Sequence, residues 1–201
     1  MIYQLTFWVS AVAFHIIMMI ITYNKGISLG LQYQKPLYDI VQQHTINLKR
    51  YRIIPEILHF IPTVLLVLYI LYNYYISDYV IANMALEKFF TKHGILFYLR
   101  PILFSSTLLP DSSQMCLESK AIGSCFDLIF SGHSTIMFLT TYILRDIFNI
   151  GAVLFYTLQI NNLLTSFLII ACRNHYTVDV LLAIIITHFV YFYGTEFRLG
   201  V

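Results

Sequence analysis

Two short stretches of this chain carry residues that could do chemistry: Cys125-Phe126-Asp127-Leu128-Ile129-Phe130-Ser131-Gly132-His133 and His175-Tyr176-Thr177-Val178-Asp179-Val180. Each opens a long apolar run. Together they supply two histidines and a carboxylate, a set that can move a phosphoryl group without a metal. One imidazole attacks phosphorus, a carboxylate holds it in the right tautomer, and the other imidazole protonates the departing oxygen. The spacing of His175 and Asp179 puts both on one face of a helix.

These residues must be positioned by membrane helices. The chain has 201 residues, 59% hydrophobic and 11% charged, where a soluble domain has about 25% charged. The expected fold class is all-α: a polytopic, single-domain membrane protein over residues 1–201. Six spans are expected, at about 5–23, 57–76, 94–109, 127–148, 151–171 and 178–196, since about 20 apolar residues cross the hydrocarbon core. The first run lacks a basic segment before it and is read as a retained span rather than a signal peptide. Its follow-on connection, Asn24–Glu56, is the longest, and Tyr38–Arg52 within it is expected to form an interfacial helix. The net charge of +2 gives no argument for nucleic acid.

Six alternating spans bring the two chemical stretches to one side of the membrane, because spans four and five lie between them. Ser131 and Gly132 suit an anion, since glycine lets a phosphate approach the backbone and amides at a helix start point towards it. Arg100 stands inside the third span ahead of Pro101. A charge near the bilayer centre costs at least about 2.5 kcal/mol on insertion scales, so it faces the bundle interior with a partner. That partner is Asp127 or Asp179 in a structural reading. A phosphate is preferred, because the guanidinium fork suits it. Asp127 either orients Arg100 or the choline-like end of a lipid, or caps span four. Cys116 and Cys125 either close a disulfide loop in an oxidising compartment or stand unpaired. His15, His59 and His188 read as packing or interhelix hydrogen-bonding residues, and His44 and His93 as solvated or interfacial. No metal-ligand spacing occurs, so neither metal nor cofactor is expected.

The chain resembles the sphingomyelin synthases, within the type 2 phosphatidic acid phosphatase superfamily. Their third block, Cys-Gly-Asp-x3-Ser-Gly-His-Thr, is matched by Cys125-Phe126-Asp127, then Ser131-Gly132-His133-Ser134. Their fourth, His-Tyr-Thr-x-Asp-Val-x2-Ala, is matched by His175-Tyr176-Thr177-Val178-Asp179-Val180 and Ala183. The second block is answered by Phe97-Tyr98-Leu99-Arg100 ahead of Leu109-Pro110, and the first, loosely, by Lys35-Pro36-Leu37-Tyr38-Asp39. Phe126 and Ser134 depart from the pattern. The resemblance implies six helical spans, with His175 as nucleophile, Asp179 as its orienting carboxylate and His133 as the acid. Arg100, Asp127, Ser131, Gly132 and Tyr176 are expected to hold substrate.

The activity so implied is transfer of a phospho-headgroup (phosphocholine, phosphoethanolamine or phosphoinositol) from a glycerophospholipid to ceramide, releasing diacylglycerol. The alternative is a lipid phosphate phosphatase, in which water resolves the same intermediate. Against that branch, His93 stands where its first motif has a lysine, and Ile169 where its third has an arginine. A silent scaffold has no need of the intact histidines. Membrane lipids are the expected partners, and a homo-oligomer is left open. The resemblance places the protein in an endomembrane (Golgi or endoplasmic reticulum) or the plasma membrane, with the active site on the lumenal or outer face. The positive-inside count runs the other way, with Lys25, Lys35, Lys49, Arg50, Arg52, Lys120 and Arg173 on the active-site side.

Overall fold

The computed structural model describes residues 1–112, 126 and 128–194, and the described residues form helices and no strands. The chain runs α1 (Ile2–Ser28), a 3₁₀ turn at Leu31–Tyr33, α2 (Ile40–His44), a second 3₁₀ turn at Lys49–Tyr51, α3 (Ile53–Leu58) and α4 (Phe60–Tyr75). It continues through α5 (Tyr79–Ser106), α6 (Gly132–Ile147), α7 (Ala152–Ala171) and α8 (Thr177–Phe192).

Three helical runs among the described residues are long and apolar enough to cross a membrane: Ile2–Ser28, Lys49–Tyr75 and Ala152–Ala171. The other three expected spans are also helices, but charge or length sets them apart. α5 starts at Tyr79 rather than Gly94 and carries Glu87, Lys88, Lys92 and Arg100 over its 28 residues. α6 and α8 have 16 residues each, and α8 is apolar while α6 includes Arg145 and Asp146. The expected interfacial helix over Tyr38–Arg52 is also different. It is broken into α2 and a 3₁₀ turn, with Thr45 extended between them. The break lets the Leu48 amide reach the Ala171 carbonyl at 2.9 Å and pins this connection to the end of α7.

α6 is the central helix. It packs against α4, α5, α7 and α8 and is buried without a break from Met137 to Leu144. In lipid, apolar burial alone does not drive helices together, so polar links matter more. Asn162 of α7 supplies one, donating to Thr141 Oγ1 at 2.9 Å and to the Met137 carbonyl at 3.2 Å. At the far end of α6, Lys88 pairs with Asp146, which also accepts from Tyr191. α1 lies along α5. Gly26 is needed there, because a Cβ on it would stand 2.3 Å from the ring of Phe126. Phe126 is thus housed by a glycine on α1, beside Tyr23, Leu31 and Leu108.

Candidate active site

The start of α8 builds the first half of the site. Asp179 is wholly buried and sits at the third position of the helix. Its Oδ2 accepts from the Tyr176 amide at 3.0 Å, a capping contact, and from His175 Nδ1 at 3.2 Å. Its Oδ1 accepts from the Ile129 amide at 2.8 Å, and its carbonyl from the Ser131 amide at 3.1 Å. One residue therefore caps α8, orients His175 and ties the loop before α6 to α8. Ile129 makes that contact at φ 84°, a left-handed conformation that is costly for a β-branched residue. With Nδ1 donating to Asp179, the His175 Nε2 is left with the lone pair.

His133 comes from the first turn of α6. Its ring centroid lies 6.0 Å from that of His175, with the rings at 68°. Its Nε2 is 2.9 Å from Glu56 Oε2, and the other Glu56 oxygen accepts from Asn174 at 3.2 Å. His59, one turn beyond Glu56, meets the His133 ring edge-on at 4.6 Å. The site therefore holds two facing histidine–carboxylate pairs. Sequence reasoning found one of them. It took Glu56 as the end of a loop and His59 as a packing or interhelix hydrogen-bonding residue. The signal was a carboxylate and a histidine three residues apart at the mouth of an apolar run.

The other expected residues fall as follows. Arg100 is buried, donates through Nε to the Phe130 carbonyl at 2.6 Å, and has Nη1 2.8 Å from His15 Nε2. Its guanidinium lies against Gly132, where a Cβ would meet Cζ at 3.5 Å. His15 thus makes an interhelix hydrogen bond, from α1 to Arg100 of α5. Ser131 is fully buried and its hydroxyl caps α6 through the Ser134 amide at 3.4 Å, so its amide and hydroxyl are both committed to structure. Tyr176 is a tie as well: its hydroxyl donates to the Pro110 carbonyl and accepts from the Leu37 amide, each at 2.9 Å. Burial pushes its phenol up to about 12, so it stays protonated. Asp127, Cys116 and Cys125, with the disulfide expected between the cysteines, lie outside the described residues.

Asp39 explains the loose first block. Its Oδ1 caps α2 by accepting from the Val41 and Gln42 amides at 3.0 Å. It also takes the Thr177 amide at 2.6 Å and the Thr177 hydroxyl at 2.8 Å, so it staples the connection to the first turn of α8. Burial raises its pKa, but the Thr177, Gln42 and Val41 hydrogen bonds together hold it below the ordinary 3.8. Gln42 continues the staple by donating to the His175 carbonyl at 2.9 Å. Cys172 is buried; burial, then the Glu56 charge, push its thiol up, which disfavours the thiolate.

A divalent cation could use Glu56, His59 and His133, whose donor atoms lie within 4.8 Å of one another. Sequence spacing gave no sign of this set. A cation there would take the His133 nitrogen that now faces Glu56, and so would compete with proton transfer.

Residues 124–196 match the family described as PAP2 superfamily C-terminal. The match covers just over a third of the chain and includes His133, His175 and Asp179, while Glu56 and Arg100 lie outside it. It supports the type 2 phosphatidic acid phosphatase superfamily, whose members are typically lipid phosphatases or phosphotransferases. No curated protein matches the chain. The apolar helices and this match are those of an integral membrane protein of that general kind.

Proposed function

We propose that the protein is a sphingomyelin synthase-like transferase that moves a phospho-headgroup from a glycerophospholipid to ceramide. The observation that carries this reading is the approach of His133 and His175, each hydrogen-bonded to its own carboxylate. His175 Nε2 attacks the donor phosphorus and forms an N–P bond. The P–O bond to diacylglycerol breaks, and the departing oxygen takes a proton from His133, whose Nε2–H must turn to it from the Glu56 carboxylate. The ceramide hydroxyl then attacks phosphorus while His133 takes its proton, and the N–P bond breaks. Asp179 keeps the nucleophilic tautomer of His175 throughout. Arg100, beside Gly132, supplies positive charge next to the first turn of α6, where the amides favour an anion.

The reading is tested by incubating purified protein with headgroup-labelled phosphatidylcholine, phosphatidylethanolamine and phosphatidylinositol, with and without ceramide. Labelled phosphosphingolipid formed only with ceramide is the expected result. Free phospho-headgroup as the main product in both arms would instead make the protein a hydrolase.

A further inference from the structure

Glu56 and His59 stand three residues apart at the turn from α3 to α4, a spacing that puts both side chains on one face of the helical backbone. A Glu-x-x-His pair is a ligand set that helices use to hold metal ions in bundle cores. His133, from the first turn of α6, completes it. Its Nε2 is 2.9 Å from Glu56 Oε2, and its ring meets that of His59 at 4.6 Å. A zinc ion sits about 2.0–2.2 Å from imidazole nitrogen and carboxylate oxygen, so tetrahedral donors stand roughly 3.3 Å apart. The three donors already lie within 4.8 Å of one another, so small side-chain rotations close the set. The outer contacts are those of ligands as well. His59 Nδ1 is 3.2 Å from the Pro55 carbonyl, and a hydrogen bond there makes Nδ1 the protonated nitrogen. Nε2 then carries the lone pair. It has no hydrogen-bond partner among the described residues, although His59 is only 6% exposed. Glu56 Oε1 accepts from Asn174, which holds the carboxylate in place. Support of this kind orients the ligands of metal sites. The side chains of Glu56 and His133 are 39% and 29% exposed, so an ion can enter from water.

We propose that Glu56, His59 and His133 form an inhibitory site for a zinc-like transition-metal ion, which takes His133 out of proton transfer. The proton between His133 Nε2 and Glu56 Oε2 leaves to water as the ion bonds to both atoms. Two imidazoles and one carboxylate favour a borderline ion such as Zn²⁺ over Mg²⁺ or Ca²⁺, which prefer all-oxygen sets. His175 stands outside the set, with its ring 6.0 Å from that of His133 and its Nδ1 committed to Asp179. Binding of the ion needs only the three side chains. The inhibition rests on the transfer reading above, in which His133 hands over a proton.

The test uses the untagged protein in detergent, stripped with a chelator and dialysed against Zn²⁺ alone, with Mg²⁺ as the hard-ion arm. One Zn²⁺ per chain is expected, with Mg²⁺ unable to displace it. The same stoichiometry is expected in His175→Ala, which reads binding without turnover. His59→Gln should lower zinc affinity about 10²-fold, and Asn174→Ala, which removes only the outer contact to Glu56, about tenfold. Both should stay folded by thermal melt. His44→Gln, the loss of an exposed histidine, should leave affinity unchanged. In wild type, Zn²⁺ should stop turnover of a labelled donor lipid and a chelator should restore it. His59→Gln should need about 10² times more Zn²⁺ for the same inhibition. Unchanged affinity in both His59→Gln and Asn174→Ala, or an equal loss in His44→Gln, would overturn the site in favour of surface binding. Loss of zinc in His175→Ala would overturn it in favour of a site shared by the two reacting histidines. Zinc held through His59 with turnover undiminished would overturn the inhibitory role. A protein that turns over no donor lipid even after stripping would instead contradict the transfer reading, with the affinities of His59→Gln and Asn174→Ala still deciding the site.

Discussion

Glu56 is the residue that most changes the chemistry readable from the two motifs. It lies 77 positions before His133 and meets it at 2.9 Å, so each histidine works against a carboxylate. Replacing His133 by Ala removes the acid and should slow turnover by about 10²–10⁴. Glu56→Gln keeps the acid but loses the charge behind it, so its loss in kcat should be smaller than that of His133→Ala. Glu56→Asp should recover part of it. Steady-state rates on one donor lipid check this order, and a Glu56→Gln enzyme at full rate would reduce Glu56 to a bystander. Arg100 makes a different prediction. Lys keeps its charge but not the Nε contact to Phe130 or the fork towards His15. One charged buried hydrogen bond is worth about 1.5–3 kcal/mol, so Arg100→Lys should cost about 10–10² in rate while the protein remains folded by thermal melt.

At the scale of elements, the site is held by staples across helix starts. Asp39 joins α2 to α8, and its carboxyl is held below 3.8. A lowered folded-state pKa means the stabilisation is present above the unfolded value and fades as pH falls through the folded one. The melting temperature of Asp39→Asn should therefore lie below wild type at pH 7, and the gap should close as pH drops into the carboxylate range. A gap that is constant or widens in acid would contradict the staple. The Gly26–Phe126 contact gives a second element-level prediction. Gly26→Val should destabilise the α1 packing, because even a Cβ stands 2.3 Å from the ring, and Phe126→Leu should restore part of the loss. Much of this architecture could be read from the chain. The blocks around His133 and His175 are contiguous, so motif spacing and the two helices that begin between them, α6 and α7, were enough to pair them. The second carboxylate was invisible because α3 brings Glu56 from a stretch that looks like a loop end. α5 was set too short because Glu87, Lys88 and Lys92 mask an apolar helix signal. They face α6, α8 and the amino terminus: Lys88 meets Asp146, Lys92 the Val190 carbonyl, and Glu87 the terminal amine.

For the whole molecule, the arrangement concentrates chemistry at one end of the helices and structural charge pairs at the other. His133, His175, Glu56 and Asp179 cluster at the starts of α6, α8 and α3, whereas Lys88, Asp146 and Tyr191 meet at the far end of α6. The central claim is that a phosphoryl group passes through His175. The most direct measurement is to incubate the protein with donor lipid labelled at phosphorus, without ceramide, quench in alkali and map the label. The account predicts an acid-labile phosphoramidate on the peptide carrying His175, discharged by adding ceramide, insensitive to chelator and missing from His175→Ala. An acid-stable adduct, or a His175→Ala protein that still turns the donor over, would contradict it.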